Sequence, residues 1–136
     1  MAQPQVLLDT DILSAILRQN QLVIPKARAY LAEHVHFTFS ILTRYEILRG
    51  LKAKGAGRQA MVFERFCARN IILAVTEEVA VKAADIYADL SKRGELIGDA
   101  DILIAATALV SRLGVVTNNE DHFRRIRDLD VENWLR

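Results

Sequence analysis

The chain has 136 residues, 51% hydrophobic and 26% charged, enough to bury a core and too short for two ordinary domains, so disorder and collagen-like composition are excluded. Eighteen Lys+Arg stand against seventeen Asp+Glu, a formal net charge of +1, which gives no sign of a nucleic-acid binder held by bulk charge. The balance hides a split: residues 1–72 carry ten basic and five acidic side chains, residues 73–136 eight and twelve.

Gln5-Val-Leu-Leu-Asp9 reads as a short buried strand ending in an acid, followed by a helix over Ile12–Arg18 and a linker over Asn20–Pro25. Pro25 suits the first turn of a helix over Lys26–His34. His36–Phe39 alternates like a strand. Ser40 is a good N-cap for a helix over Ile41–Lys54, where Ile41, Tyr45 and Leu48 recur at helical spacing. Gly55-Ala-Gly57 interrupts it before a helix over Gln59–Arg69, and Ile71–Leu73 is a third strand. Thr76 caps a long helix whose first turn holds Glu77 and Glu78, favoured there by the helix dipole. After a loop over Gly94–Gly98, Asp101–Leu113 is apolar on nearly all sides and predicts a helix buried mid-domain. Val115–Thr117 is a fourth strand, Asn118–Arg127 a last helix and Leu129–Val131 an edge strand. Strands alternating with helices predict an α/β fold, one domain over 1–136, with a mainly parallel sheet covered on both faces.

The composition bounds the chemistry further. Cys67 is the one cysteine, so neither an internal disulfide nor a cysteine zinc site is expected, and His34, His36 and His122 lack zinc-ligand spacing. No signal-peptide core opens the chain and no apolar run approaches the ~20 residues of a membrane span, so a cytoplasmic protein is expected.

In parallel α/β folds ligands bind at the carboxyl ends of the strands. Asp9 ends the first strand. Glu46 lies about two turns into the helix after the second. Asp99 and Asp101 open the buried helix, and Asn118, Asn119, Glu120 and Asp121 follow the fourth strand. Carboxylates crowded on one face repel one another, and a divalent cation resolves the conflict. An all-oxygen set suits Mg²⁺ or Mn²⁺ and the hydrolysis of a phosphodiester. Each residue also has a simpler reading: Asp9, Asp99, Asn118 or Asn119 as helix caps, Glu46 as a surface acid, Glu120 and Asp121 as dipole partners.

The motifs are similar to those of a known family. Val6-Leu-Leu-Asp-Thr-Asp-Ile-Leu-Ser14, Arg44-Tyr-Glu-Ile-Leu-Arg-Gly50, Asp99-Ala-Asp-Ile-Leu-Ile-Ala-Ala-Thr-Ala108 and Val116-Thr-Asn-Asn-Glu-Asp-His-Phe123 resemble the four acidic motifs of the PIN domain, and within it the VapC-type toxins. Val131-Glu-Asn-Trp134 is similar to the family's usual ending. Asp11 stands where Asn is more usual, and His122 where an acid often precedes the Phe. The resemblance implies an α/β/α sandwich and a Mg²⁺- or Mn²⁺-dependent endoribonuclease. It also implies a homodimer, held in check by a cognate VapB-type antitoxin. It carries the metal-ligand role to Asp9, Glu46 and Asp101, with Asn119 completing the catalytic set. It selects Asp101 over Asp99.

Thr10 and Thr117 are expected to hydrogen-bond these acids, with Asp99 and Asp121 as auxiliary candidates. Arg44, Arg49 and Lys52 are the candidate RNA contacts. Two other readings are a PIN-like RNA-binding module without catalysis and a phosphatase of the haloacid dehalogenase type, which Asp9-Thr-Asp11 also resembles. Against the phosphatase, Leu13 stands where that family has Thr or Val, and no Lys sits near Asp99 or Asp101.

Overall fold

The computed structural model of the chain describes residues 3–136. Val6–Leu8 (β1) is followed by helices Thr10–Leu17 (α1) and Ile24–His34 (α2), then Thr38–Ser40 (β2). Helices Ile41–Ala53 (α3) and Gly57–Ala68 (α4) lead to Ile71–Leu73 (β3). Helices Glu77–Lys92 (α5) and Asp99–Val110 (α6) lead to Gly114–Val116 (β4), and the short helix Glu120–Phe123 (α7) to Val131–Glu132 (β5). The sheet runs β3-β2-β1-β4-β5 and every pairing is parallel, so β1 lies at its centre.

Parallel pairing explains why the strands are apolar on both sides. Leu7 and Val115 point to one layer with Val79, Ala83, Ile86 and Leu90 of α5 and Ile102, Ile104 and Ala105 of α6. Val6, Leu8 and Val116 point to the other, with Ile12 and Leu13 of α1, Tyr30 of α2, Phe63 and Cys67 of α4, and Trp134. The expected three-layer α/β/α sandwich is thus present. Thr107, buried inside α6, is satisfied by donating Oγ1–H to the Leu103 carbonyl at 2.8 Å. No helix among the described residues is long and apolar enough to cross a membrane.

Several boundaries differ from the sequence expectation. α1 begins at Thr10 rather than Ile12, because the Asp9 carboxylate caps its first N–H. α2 begins at Ile24, after a turn in which Asn20 Oδ1 accepts from Leu22 N–H at 2.8 Å. α6 spans Asp99–Val110, with Gly98 and not Asp99 at the cap position. The last helix is the largest correction: it stops at Phe123 rather than Arg127. Arg125 and Ile126 then donate to carbonyls three residues back, and the chain reverses at Asp128 with φ 66°. Phe123 and Ile126 are both buried, a spacing that a tight turn satisfies as well as a helix does.

Candidate active site

The chain runs outward from β1 through β2 to β3, then returns to the far side of β1 for β4 and β5. Strand order therefore reverses between β1 and β4, where folds of this kind open a crevice at the carboxyl edge. Asp9 follows β1 directly and Thr117 follows β4 directly. The Asp9 N–H donates to the Val116 carbonyl at 2.9 Å, which fixes the two strand ends side by side.

Asp9 is only 6% exposed. Its Oδ1 accepts from the Thr10 N–H at 2.8 Å, and its Oδ2 accepts from the Thr117 hydroxyl at 2.7 Å. It is a helix cap and a buried charge at once. Burial raises its pKa most and the Asp11 charge next; the Thr117 and Thr10 hydrogen bonds pull it down, and Asp101 adds a smaller upward push. The net result is a carboxyl pushed up to about 7.

Glu46 stands half-buried on α3. Thr10 Oγ1 donates to Glu46 Oε1 at 2.6 Å and lies 2.9 Å from Thr43 Oγ1. Thr10 gives its single proton to Glu46, so Thr43 donates to Thr10 and the three form a directed chain. Asp101 lies in the first turn of α6. Its Oδ2 is 2.9 Å from His122 Nδ1 and 3.3 Å from Asn119 Nδ2. The Asn119 N–H donates to Thr117 Oγ1 at 2.9 Å, which links this group back to Asp9.

Asp9, Thr10, Glu46, Asp101, Thr117 and Asn119 are therefore joined through two hydrogen-bonded groups at one edge of the sheet. Asp99 and Asp121 are exposed and make no side-chain hydrogen bond among the described residues. Glu120 is held down to about 2, first by Arg136, then by Asn133 and Arg124, and so is engaged with the carboxyl-terminal segment. Of the basic candidates, Arg44 is ion-paired with Glu64 of α4. Arg49 sits over the Tyr45 ring at 5.1 Å, and Lys52 is exposed.

Three residues escaped the sequence reading as members of this site. Asp11 accepts the Asn118 N–H on Oδ2 at 3.1 Å, while its Oδ1 is buried with no partner. Burial pushes its pKa up, against the pull of that hydrogen bond. Its signal was the second acid of Asp9-Thr-Asp11. Thr43 is wholly buried, and its only signal was a hydroxyl one turn before Glu46. His122 occupies the place beside Asp101.

These residues fit a hard divalent cation in their chemistry. One carboxyl is pushed up to about 7 by burial first and by the Asp11 charge next, and a second has a buried oxygen with nothing to bind, which is an arrangement that positive charge stabilises. Among the described residues no three His, Cys, Asp or Glu side chains stand close enough to wrap an ion. The site offers a cation charge and free oxygen rather than a closed cage.

A groove of about 500 Å³ opens beside Glu46, between α1, α3 and α4. Leu17, Ile47, Leu51, Val62 and Phe63 line it, with Arg18, Lys54 and Arg58 among the residues at its walls.

Comparison with known proteins identifies the family. The PIN-domain family profile matches residues 6–129. Ribonuclease VapC2 of Haemophilus influenzae is 34% identical over 130 residues, covering 95% of this chain and 97% of that protein. The tRNA(fMet)-specific endonuclease VapC of Salmonella typhimurium is 33% identical over 96 residues, 70% of this chain and 73% of that protein. The crystal structure of DNA-bound VapBC from Salmonella typhimurium superposes with a TM-score of 0.84 at 27% identity, covering 97% of this chain and 99% of that chain. With a family profile matched over residues 6–129, a matching fold and relatives aligned along nearly its whole length, the chain belongs to the PIN-domain family, among the VapC-type ribonucleases.

Proposed function

We propose that this chain is an endoribonuclease that hydrolyses RNA phosphodiester bonds at the carboxyl edge of its sheet with the help of a divalent cation, as the toxin of a toxin–antitoxin pair. The observation that carries the reading is the buried Asp9 carboxyl at the end of β1, held on both oxygens by Thr10 and Thr117 and followed by Asp11 with a buried, partnerless oxygen, in a chain whose relatives are ribonucleases. Asp9, Asp101 and Glu46 are the side chains that would hold Mg²⁺ or Mn²⁺, directly or through the waters such an ion keeps. A bound cation of this kind supplies phosphate orientation, a water acidic enough to attack at neutral pH, and stabilisation of the leaving oxygen.

The protein's own groups do the rest. Thr117 and Thr10 fix both oxygens of Asp9 and so set the direction of its charge. Thr10 occupies Oε1 of Glu46, which leaves Oε2 to accept a proton from the attacking water. Arg49 and Lys52 lie on the exposed side of α3 to meet phosphates, whereas Arg44 serves the α3–α4 contact through Glu64. Purified protein is expected to cut RNA when Mg²⁺ or Mn²⁺ is added and to stop when the ion is chelated. Cleavage that persists undiminished in excess EDTA would sink the metal-dependent reading.

The antitoxin has a place in the same geometry. The groove beside Glu46 has an apolar floor that suits the apolar face of an amphipathic helix, and its basic residues suit acidic flanks on that helix. Val62 is 55% exposed at its rim, so Val62→Glu puts a charge in the groove without disturbing the core. Binding of the antitoxin is expected to weaken about tenfold or more, read by calorimetry, while RNA cleavage by the free protein is retained. Unchanged affinity would move the antitoxin elsewhere.

A further inference from the structure

Three polar atoms meet in a triangle beside the first turn of α6. His122 Nδ1 lies 2.9 Å from Asp101 Oδ2, the Asn119 amide terminus lies 2.8 Å from His122 Nδ1, and the same terminus lies 3.3 Å from Asp101 Oδ2. Asn119 and His122 are brought together by their three-residue spacing at the start of α7. Which amide atom of Asn119 faces inward is decided by its partners and not by its shape.

With Asp101 ionised, no placement of protons satisfies all three edges of this triangle. With a proton on Nδ1, His122 serves Asp101 but confronts the amide NH₂. Without one, it accepts from the amide and turns a lone pair on the Asp101 carboxylate. If the amide is reversed, two oxygens face each other. A divalent cation removes every one of these conflicts. Adjacent ligands of an octahedral ion with bonds of about 2.1 Å stand about 3 Å apart. The edges of 2.8, 2.9 and 3.3 Å match one face of that octahedron. The His122 side chain is 38% exposed and that of Asp101 25%, so the outer side stays open to water and substrate.

We propose that His122 is itself a ligand of the catalytic cation, through Nδ1, on one face with Asp101 Oδ2 and the Asn119 amide oxygen, and that this nitrogen makes the site prefer Mn²⁺ to Mg²⁺. Both ions favour oxygen, but Mn²⁺ belongs to the first-row series whose members bind nitrogen as well as oxygen, whereas Mg²⁺ keeps to oxygen and water, so one imidazole nitrogen tips the choice toward Mn²⁺. The inference rests on the metal-dependent reading above and adds to it the identity of a ligand and the choice of ion.

The test uses the whole chain, stripped of metal and titrated with Mn²⁺ or Mg²⁺ alone. Spin-echo EPR of the bound Mn²⁺ is expected to show coupling to one imidazole nitrogen, absent in His122→Ala. By calorimetry, His122→Ala should weaken Mn²⁺ about tenfold or more and Mg²⁺ less than about threefold. His122→Asp, which restores an oxygen, should bind Mg²⁺ more tightly than the wild type does. Bound Mn²⁺ without nitrogen coupling, or equal weakening of both ions in His122→Ala, would overturn the proposal and leave His122 as a positioning partner of Asp101. A wild-type chain that binds neither ion would overturn it together with the metal-dependent reading.

Discussion

Asp9→Asn is expected to reduce RNA cleavage by about 10³-fold or more and, at the same time, to make the metal-free protein more stable at pH 8. The first effect follows from the several kcal/mol that a held cation contributes to the transition state. The second follows from the direction of the pKa shift. Asp9 rises to about 7 on folding, from an ordinary value of about 3.9. Its contribution to stability is therefore fully present below about pH 4 and is lost as pH rises through about 7. At pH 8 the folded, metal-free protein carries a buried charge that the unfolded chain hydrates, at a cost on the order of 4 kcal/mol at most. Asn keeps the Oδ1 acceptor for the Thr10 N–H and carries no charge. Denaturant titration in EDTA should show the variant gaining on the wild type between pH 5 and pH 8, and added Mg²⁺ or Mn²⁺ should close the gap from the wild-type side. A variant that loses both activity and stability at pH 8 would show that Asp9 acts as a cap and not as a crowded charge.

Trp134→Ala is expected to cost about 3–5 kcal/mol, read as a fall in melting temperature of about 10–15 °C. Trp134 is 2% exposed, its ring lies 5.5 Å from that of Tyr30, and its indole N–H donates to Glu132. Tyr30 in turn accepts the Val6 N–H on its hydroxyl at 3.1 Å. The ring thus fastens β5, which is only two residues long, to the layer beneath β1. The Thr117 N–H bonds the Glu132 carbonyl at 2.9 Å, so a loosened β5 also frees the residue that orients Asp9. A loss below about 1 kcal/mol would place Trp134 outside the cooperative core.

The fold class was readable because each buried strand interrupts a helical period with an apolar run, and apolar residues on both faces imply a covered parallel sheet. The strand order was not readable. Three-residue strands such as Val6–Leu8 and Gly114–Val116 carry no side-chain pattern that names a neighbour. The acids stood out because a charge beside a buried strand is costly unless something balances it. Thr43 and His122 did not, because their roles depend on partners 33 and 21 positions away. The charge split is also clearer in three dimensions. Arg18, Lys54 and Arg58 of the basic half gather at one groove. In the acidic half, Asp89 pairs with Arg93 and Arg127, and Glu120 with Arg124 and Arg136.

The central place of β1 has a consequence for the order in which this toxin is made. Asp9 meets Thr117 across 108 positions, and β1 pairs along its length with β4. Asp9 and Glu46 are made before β4 or Thr117 exists, and a domain folds as a unit. At that stage one side of β1 is open, Asp9 is hydrated, and Asn119 and His122 are absent. The growing chain therefore lacks the assembled site until its carboxyl-terminal third has joined β1. The acidic site comes together only once β4, Thr117 and Asn119 have been made and have met β1 and Asp101.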